Sequence, residues 1–255
     1  MDFLHTVAGF LVGILVGLTG VGGGSLMTPV LVLMFGVSPQ TAVGTDLLFA
    51  ATTKTFGSAV HGWRESVDWR IVRRLAMGSL PAACATLFAI NEFGKVNKSG
   101  QHVILLILGT MLILTAVAVL LQKQLVAFAS RHKSMEHRNV LLPTIVLGAL
   151  IGAAVTVSSV GAGAIGVTAL LMLYPHLPVS RIVGSDIAHA VPLTLVGGFG
   201  HWIIGDVNPI LLGNLLIGSI PGVIIGSFMS SRAPDKWLRP ALAAVLIVSG
   251  LRLLG

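Results

Sequence analysis

Two short glycine runs carry much of the chemistry that this sequence offers. Each run interrupts a long apolar segment, and a helix that restarts after such a break presents unpaired backbone N–H groups and the positive end of its dipole. A positive helix end at membrane depth can bind an anion without any basic side chain. The predicted anion-binding residues are Gly22, Gly23, Gly24, Ser25, Gly161, Ala162, Gly163 and Ala164.

Two aspartates occupy equivalent places after the two runs. Asp46 ends the sequence Val-Gly-Thr-Asp, and Asp186 ends Val-Gly-Ser-Asp. Acids inside membrane segments are costly and commonly functional, so both are predicted to bind a proton or cation coupled to transport. The alternative is that each complements a helix dipole one turn from the helix start. The neighbouring hydroxyls of Thr45 and Ser185 are secondary site candidates.

One lysine and two histidines complete the candidate set. Lys54 lies in the middle of an apolar segment, where a lysine costs about 3 kcal/mol or more. We expect it to contact an anionic substrate or to pair with Asp46, about 12 Å away along the helix; snorkelling to the interface is the alternative. His61 and His201 each lie beside a tryptophan near a segment end. They are most simply interfacial anchors, with a site role as the second interpretation.

The composition indicates a membrane protein. The chain has 255 residues, of which 55% are hydrophobic and 10% charged, with a mean hydropathy of +0.94. A soluble domain carries about 25% charged residues. The net charge of +7 is spread over short loops, so it indicates topology and does not predict nucleic-acid binding. The pattern Gly161–Gly166 resembles a dinucleotide fingerprint but lies in a membrane segment and not in a βαβ unit. Neither a cofactor nor a metal site is predicted.

Long apolar segments divide the chain into two similar halves. Residues 1–121 form the first membrane repeat, 122–140 a polar linker, and 141–255 the second repeat. Each half contains one glycine-broken segment and three unbroken ones. The segments are Val7–Phe35, Thr41–Gly62, Ile71–Ile90, His102–Leu121, Leu141–Tyr174, Ile182–Ile204, Ile210–Met229 and Trp237–Leu254. Small and polar residues match between the halves at an offset of 139 and then 140, which indicates an internal duplication.

The loop charges distinguish two topologies. The broken pieces, of 11 or 12 residues, are too short to span a bilayer singly. If each broken segment dips in and returns, one side holds twelve basic residues and the other holds Lys95, Lys98 and Arg252. If each crosses once, the counts are nine and six. The first arrangement fits the positive-inside rule better and makes the repeats inverted, with both termini outside. Eight crossings in parallel repeats is the alternative.

Several motifs resemble those of the TauE/SafE sulfite exporter family, also called the toluene sulfonate uptake permeases. They are Gly-Phe-Leu-Val-Gly at residue 9, the run Gly-Val-Gly-Gly-Gly-Ser-Leu-Met-Thr-Pro at residue 20, and Gly-Ser-Leu-Pro at residue 78. The second copy extends the resemblance over nearly the whole chain. The resemblance implies a multi-pass permease for sulfur-containing anions such as sulfite, sulfoacetate or other organosulfonates. Ala162 and Ala164 replace Gly23 and Ser25, which argues against a fully symmetric site.

The predicted function is secondary transport of a small sulfur-containing anion across a cell (inner) membrane. We expect alternating access around a midplane site between the two broken helices. No ATP-binding motif occurs, so an ion gradient or the substrate's own gradient is the expected driving force. A passive anion channel is the alternative. An intramembrane enzyme is disfavoured because most of the notable polar groups are duplicated, whereas a nucleophile and its base form an asymmetric pair.

Overall fold

The computed structural model describes residues 2–19, 24–60, 67–93, 98–131, 140–229 and 235–255. These residues form ten α-helices, and no strand occurs among them. The helices are α1 Phe3–Thr19, α2 Gly24–Phe35, α3 Pro39–Val60, α4 Trp69–Phe93, α5 Lys98–Arg131, α6 Leu141–Ser158, α7 Ala164–Leu173, α8 Val179–Ile204, α9 Pro209–Met229 and α10 Asp235–Leu254. Helix α5 continues past Leu121, so the first part of the predicted linker is helical.

Each broken segment forms two helices of unequal length. The first helices, α1 and α6, have 17 and 18 residues, and the second helices, α2 and α7, have 12 and 10. The pieces of 11 or 12 residues predicted for the first broken segment agree with α2 but are too short for α1, because α1 begins at Phe3 and not at Val7. Between α6 and α7 the chain turns through Ser159, Gly161 and Gly163, all with positive φ.

The two helices of each broken segment form a hairpin. The rings of His5 in α1 and Phe35 at the end of α2 lie 4.4 Å apart between centroids. At the equivalent positions of the second repeat, Thr144 Oγ1 lies 2.8 Å from the hydroxyl of Tyr174. The end of each broken segment is therefore beside its beginning, as expected for a segment that enters the bilayer and returns.

The same helix pair occurs twice in the fold, and each time a helix of one repeat packs against a helix of the other repeat. Helix α1 packs closely against α9, and its equivalent α6 packs against α4. Gly13 meets the backbone of Ser219, and Gly152 meets the backbone of Ser79 in the same way. A Cβ at either glycine would overlap a backbone carbonyl. The glycines are therefore contact points that let two helix backbones approach, as in small-xxx-small packing.

The relative directions of equivalent helices that contact each other indicate how the two repeats are oriented. Equivalent helices α3 and α8 contact each other with Gly44 near His201 and with Leu48 near Gly198, so they are antiparallel. Helices α5 and α10 are antiparallel as well, because Gly109 lies near Gly250 whereas Gln122 bonds Arg239 near the start of α10. Equivalent helices would be parallel in parallel repeats. Their antiparallel contact supports the inverted arrangement.

The surface confirms the prediction of an all-α polytopic membrane protein. Five helices among the described residues are long and apolar enough to cross a membrane. Large apolar side chains point outward along them: Ile203 is 86% exposed, Phe228 72% and Phe88 68%. Soluble proteins rarely expose apolar patches of such extent. Polar groups lie inside instead, and Asp46, Lys54, Asp186, His189 and Ser79 are all buried.

Candidate functional site

A cavity of about 160 Å³ lies between the end of α1 and the start of α7. For comparison, an engineered cavity of about 150 Å³ admits benzene. Its polar lining comes from Thr19, Gln122, Gly163, Asp186 and Arg239, and apolar side chains of α5, α7, α8 and α10 complete the wall. It therefore joins the two broken segments. It lies toward the side of the bundle that carries the linker, because Val179, the first residue of α8, also lines it.

The first turn of α7 faces this cavity with unpaired backbone donors. Gly163 is the N-cap residue, and no side chain caps the helix. The first helical bond is from Val167 N–H to the carbonyl oxygen of Gly163, at 2.7 Å. The N–H groups of Ala164, Ile165 and Gly166 precede that bond and have no acceptor within the helix. This turn is the predicted anion-binding backbone of the second repeat.

A basic side chain from α10 lines the same cavity. Arg239 donates from Nη1 to Oε1 of Gln122 on α5, at 2.8 Å. That bond orients the guanidinium, a group with five N–H donors, at the wall of the cavity that Gly163 and Ala164 also line. Backbone donors and a cation thus converge on one cavity.

Asp186 brings a carboxylate into the same space. The side chain is 1% exposed, and its Oδ1 has no hydrogen-bond partner. Gly166 lies directly against it, and a Cβ at that position would overlap Oδ1. The third glycine of the fingerprint-like run Gly161–Gly166 therefore leaves room for Asp186. The first repeat has Met27 at this position.

Asp46 is held more firmly than Asp186. Its Oδ2 accepts hydrogen bonds from the backbone N–H of Thr28, at 3.1 Å, and from the Thr28 hydroxyl. Ser159, at the break of the second repeat, lies next to this carboxylate. In the second repeat Val167 replaces Thr28, so Asp186 has no equivalent hydroxyl. The two acids are equivalent in sequence but differ in their surroundings.

Lys54 lies between these acids rather than on the cavity wall. It is 8% exposed and interacts electrostatically with both Asp186 and Asp46. His189, three residues beyond Asp186, is fully buried and also interacts electrostatically with Lys54. Its Nε2 lies 2.7 Å from Oγ of Ser79, and its Nδ1 has no partner. Lys54, His189 and Ser79 are therefore buried polar residues near Asp186 that do not line the cavity themselves.

The duplicated hydroxyls of Thr45 and Ser185 join helices together. Thr45 accepts from the backbone N–H of Asn208 at 3.2 Å, and Ser185 accepts from that of Asp68 at 2.8 Å. Asn208 and Asp68 precede α9 and α4 and accept bonds from those helices' first N–H groups. Their positions in the repeats are equivalent. These contacts are those of helix caps, and neither hydroxyl lines the cavity.

His201 also has structural contacts. Its Nε2–H donates to the carbonyl oxygen of Thr156 at 2.9 Å, and its Nδ1 lies 3.2 Å from Oδ2 of Asp206. Thr156 is in the last turn of α6, where carbonyl groups lack helical partners. His201 therefore stabilises the break between α6 and α7. Its repeat partner His61 lies outside the described residues.

The residues of the two glycine runs differ in their position relative to the cavity. Of the second run, Gly163 and Ala164 line the cavity, whereas Gly161 and Ala162 are not among its lining residues. In the first run, α2 begins at Gly24 and Ser25 is 5% exposed. Gly22 and Gly23 lie outside the described residues.

The sequence analysis did not predict two polar residues of this region, Arg239 and His189, as site residues. Arg239 was counted only as a loop charge, because no pattern showed that α10 packs against α5. His189 could have been found, since its repeat equivalent is Phe49. A polar residue at a position where the other repeat has an apolar one is the signal that could have found it.

Comparison with known proteins adds the family. Residues 5–253 match the family described as sulfite exporter TauE/SafE. The chain belongs to this family. As a TauE/SafE member it is a multi-pass membrane transporter and not an enzyme, and the resemblance stated from the motifs is confirmed.

The relatives of this TauE/SafE protein are described as transporters. It is 38% identical over 248 residues to the probable membrane transporter protein YjnA of Bacillus subtilis, covering 96% of this chain and 97% of the relative. It is 27% identical to YdhB of the same organism, over 96% and 97% of the two chains. The identity to MJ0441 of Methanocaldococcus jannaschii is 25%, over 98% and 94%. No solved structure matches.

Proposed function

We propose that this protein is a secondary transporter of small sulfur-containing anions, such as sulfite, sulfoacetate or another organosulfonate, in the cell (inner) membrane. The observation that carries the proposal is the cavity between the two broken segments, in a chain of the TauE/SafE family. The N–H groups at the start of α7 and the guanidinium of Arg239 supply donors for an anionic oxygen.

A sulfonate or sulfite suits these donors because it presents three oxygens that share a negative charge. A planar guanidinium such as that of Arg239 is the side chain best suited to such oxygens, as arginine recognition of carboxylates and phosphates shows in general. The backbone N–H of Ala164, at the cavity wall, is a further donor that has no acceptor within the helix. The cavity of about 160 Å³ has room for a small anion.

The repeat geometry supports alternating access as the mechanism of transport. The cavity lies toward the linker side, which the positive-inside rule assigns to the cytoplasm. In inverted repeats the equivalent space, at the start of α2, lies toward the opposite face. We therefore propose that transport alternates between a pocket at the start of α7 and one at the start of α2. Gly22, Gly23, Gly24 and Ser25 are the residues proposed for the second pocket.

Counterflow in proteoliposomes tests the proposal. Purified protein is reconstituted with unlabelled sulfoacetate inside, and uptake of ³⁵S-sulfoacetate from a dilute outer solution is measured. Sulfite and methanesulfonate are tested as competitors, with acetate as the anion that lacks sulfur. We expect transient accumulation of label above the outer concentration, because exchange on a carrier links the two fluxes.

The same assay distinguishes the carrier from a channel. A passive anion channel equilibrates the label without accumulation when the membrane potential is clamped at zero. Accumulation that is competed by sulfite and not by acetate supports the carrier and its substrate class. Equilibration alone, or equal competition by acetate, contradicts the proposal.

A further inference from the structure

Asp186 lies where the proposed substrate binds. Its carboxylate contacts the first turn of α7 at Gly166 and lines the same cavity as Arg239. Among the residues that the structure describes, none donates a hydrogen bond to it, although its side chain is 1% exposed. An ionised carboxylate can only accept hydrogen bonds, so this group is left without the donors that such burial requires.

Charge makes Asp186 a competitor of the anion. The positive end of α7 and the Arg239 guanidinium attract anions, and the ionised carboxylate of Asp186 is itself an anion in the same cavity. Two negative charges in a cavity of about 160 Å³ repel each other strongly when water is scarce. A proton on Asp186 removes the repulsion and converts one oxygen from an acceptor into a donor.

We propose that Asp186 is the proton-carrying group of this transporter, and that the anion enters the cavity when Asp186 is protonated. The inference rests on the proposed function, because it assigns the coupling ion of the same site. One proton from the aqueous phase binds Asp186, one anion binds beside it, and both leave on the other side. Transport is therefore proton symport.

The comparison with Asp46 favours this assignment. Asp46 already accepts the backbone N–H and the hydroxyl of Thr28, so it serves to join α2 to α3. Asp186 has Val167 at the corresponding place and opens on the cavity instead. Of the two equivalent acids only Asp46 has a threonine hydroxyl as partner, so Asp186 is the one available for a proton.

Within the described part of the chain, few ionisable groups surround Asp186. Helix α3 contributes Lys54 and, through it, Asp46; α8 itself contributes His189, one turn further along; and α10 contributes Arg239. Helices α6 and α7 have no ionisable side chain. Helix α4 reaches this region with Ser79, and Asp68 before it donates its backbone N–H to Ser185. Lys54 balances the charge of Asp186 when the anion is absent.

The test measures proton movement and anion movement together. Proteoliposomes contain a pH-sensitive dye, and an inward gradient of ³⁵S-sulfoacetate is applied between pH 6 and 8, where both of its acid groups stay ionised. We expect wild-type protein to acidify the lumen in proportion to the label that enters. Its apparent affinity should fall up to about tenfold per pH unit once Asp186 is ionised, as linkage of one proton requires.

The variants assign the proton to a residue. In whatever sulfoacetate transport it retains, Asp186→Asn should show neither lumen acidification nor the pH dependence of affinity. Asp186→Glu should keep coupling, which covers the case in which the asparagine variant does not fold. Asp46→Asn should keep the wild-type ratio of protons to anions, whatever its stability.

Several outcomes would overturn the inference. Net uptake of sulfoacetate by wild-type protein down its inward gradient, without acidification of the lumen, contradicts the inference and leaves the proposed function intact. Acidification by Asp186→Asn at the wild-type ratio also contradicts it, as does loss of coupling in Asp46→Asn or His189→Gln while Asp186→Asn stays coupled. Absence of wild-type counterflow contradicts the proposed function, and the inference falls with it.

Discussion

The backbone N–H of Thr28 donates to Oδ2 of Asp46 at 3.1 Å, and the hydroxyl of the same residue donates to the same oxygen. These bonds connect the returning helix α2 of the first broken segment to α3. The second repeat lacks them, because Val167 stands at the position of Thr28. The asymmetry separates an acid that stabilises the fold from one that faces the cavity.

Removal of the Thr28 hydroxyl should destabilise the protein. Thr28→Val takes one donor from a fully buried carboxylate, and a hydrogen bond to a charged group contributes about 1.5–3 kcal/mol. The free energy of unfolding in an SDS titration measures the loss. Thr168→Val is the matched control, because that buried hydroxyl has no hydrogen-bond partner. Equal effects of the two substitutions would contradict a special role for the Thr28–Asp46 contact.

The glycines of α1 should be sensitive to a single methyl group. A Cβ at Gly13 would lie 2.6 Å from the backbone carbonyl oxygen of Ser219, and no side-chain rotation relieves such a clash. Gly13→Ala and its repeat equivalent Gly152→Ala should each cost about 1–3 kcal/mol, the range for overpacking. Gly213→Ala is the control, since a Cβ there meets nothing within 4 Å. The midpoint of thermal unfolding in detergent measures the effect. A midpoint of Gly13→Ala equal to that of the wild type would contradict the close contact between α1 and α9.

The sequence predicted the class and the repeats because both depend on local properties. Apolar length sets the membrane segments, and a constant offset of small residues shows duplication, so neither requires knowledge of packing. The length of α1 was wrong because apolar content alone does not show that the helix includes His5 and Thr6 before the apolar segment. Helix ends depend on the contacts that satisfy their backbone groups, such as His201 with Thr156.

The candidate site was predicted in part for the same reason. Gly163, Ala164 and Asp186 lie at the cavity, and each was marked by a motif. Thr45 and Ser185 were marked by the same motif, yet they hold the starts of α9 and α4. Duplication conserves any residue that both repeats need, so it does not separate caps from sites. Arg239 reaches the cavity only through the packing of α10 on α5.

Two equivalent loops can test the topology. Ser38 and His176 lie in the turns after α2 and α7, and both are exposed. In inverted repeats these turns face opposite sides of the membrane, whereas in parallel repeats they face the same side. In a Cys84→Ala background, Ser38→Cys should react with a membrane-impermeant maleimide from outside, and His176→Cys only in inverted vesicles. Labelling of both from one side would contradict the inverted arrangement.

Loss of the cavity cation should weaken anion binding. Arg239→Gln keeps a hydrogen-bonding side chain but removes the charge and the fork of donors, so affinity should fall by about ten- to a hundredfold, equivalent to about 1.5–3 kcal/mol. Arg252→Gln is the control, because that side chain is exposed in the last turn of the same helix. Sulfoacetate binding by isothermal calorimetry provides the measurement. Equal affinities of the two variants would remove Arg239 from the site.

Lys54 tests whether the buried charges act as one unit. It interacts electrostatically with both Asp46 and Asp186, so Lys54→Met takes a buried cation away from two buried carboxylates. Breaking a buried charge arrangement by removing one partner costs about 3–5 kcal/mol. We therefore expect a large fall in the free energy of unfolding. Snorkelling predicts instead a neutral or mildly stabilising change, because the methionine chain replaces a costly cation.

A double-mutant cycle separates charge from packing at this position. If Lys54 compensates Asp186, then Lys54→Met combined with Asp186→Asn should be more stable than the sum of the two single effects predicts, by about 1 kcal/mol or more. Lys54→Arg should keep most of the stability, since it keeps the charge. Additive effects would show that Lys54 and Asp186 act independently. In that case the cost of Lys54→Met would come from the packing of α3 or from Asp46, and the same cycle with Asp46→Asn would identify which.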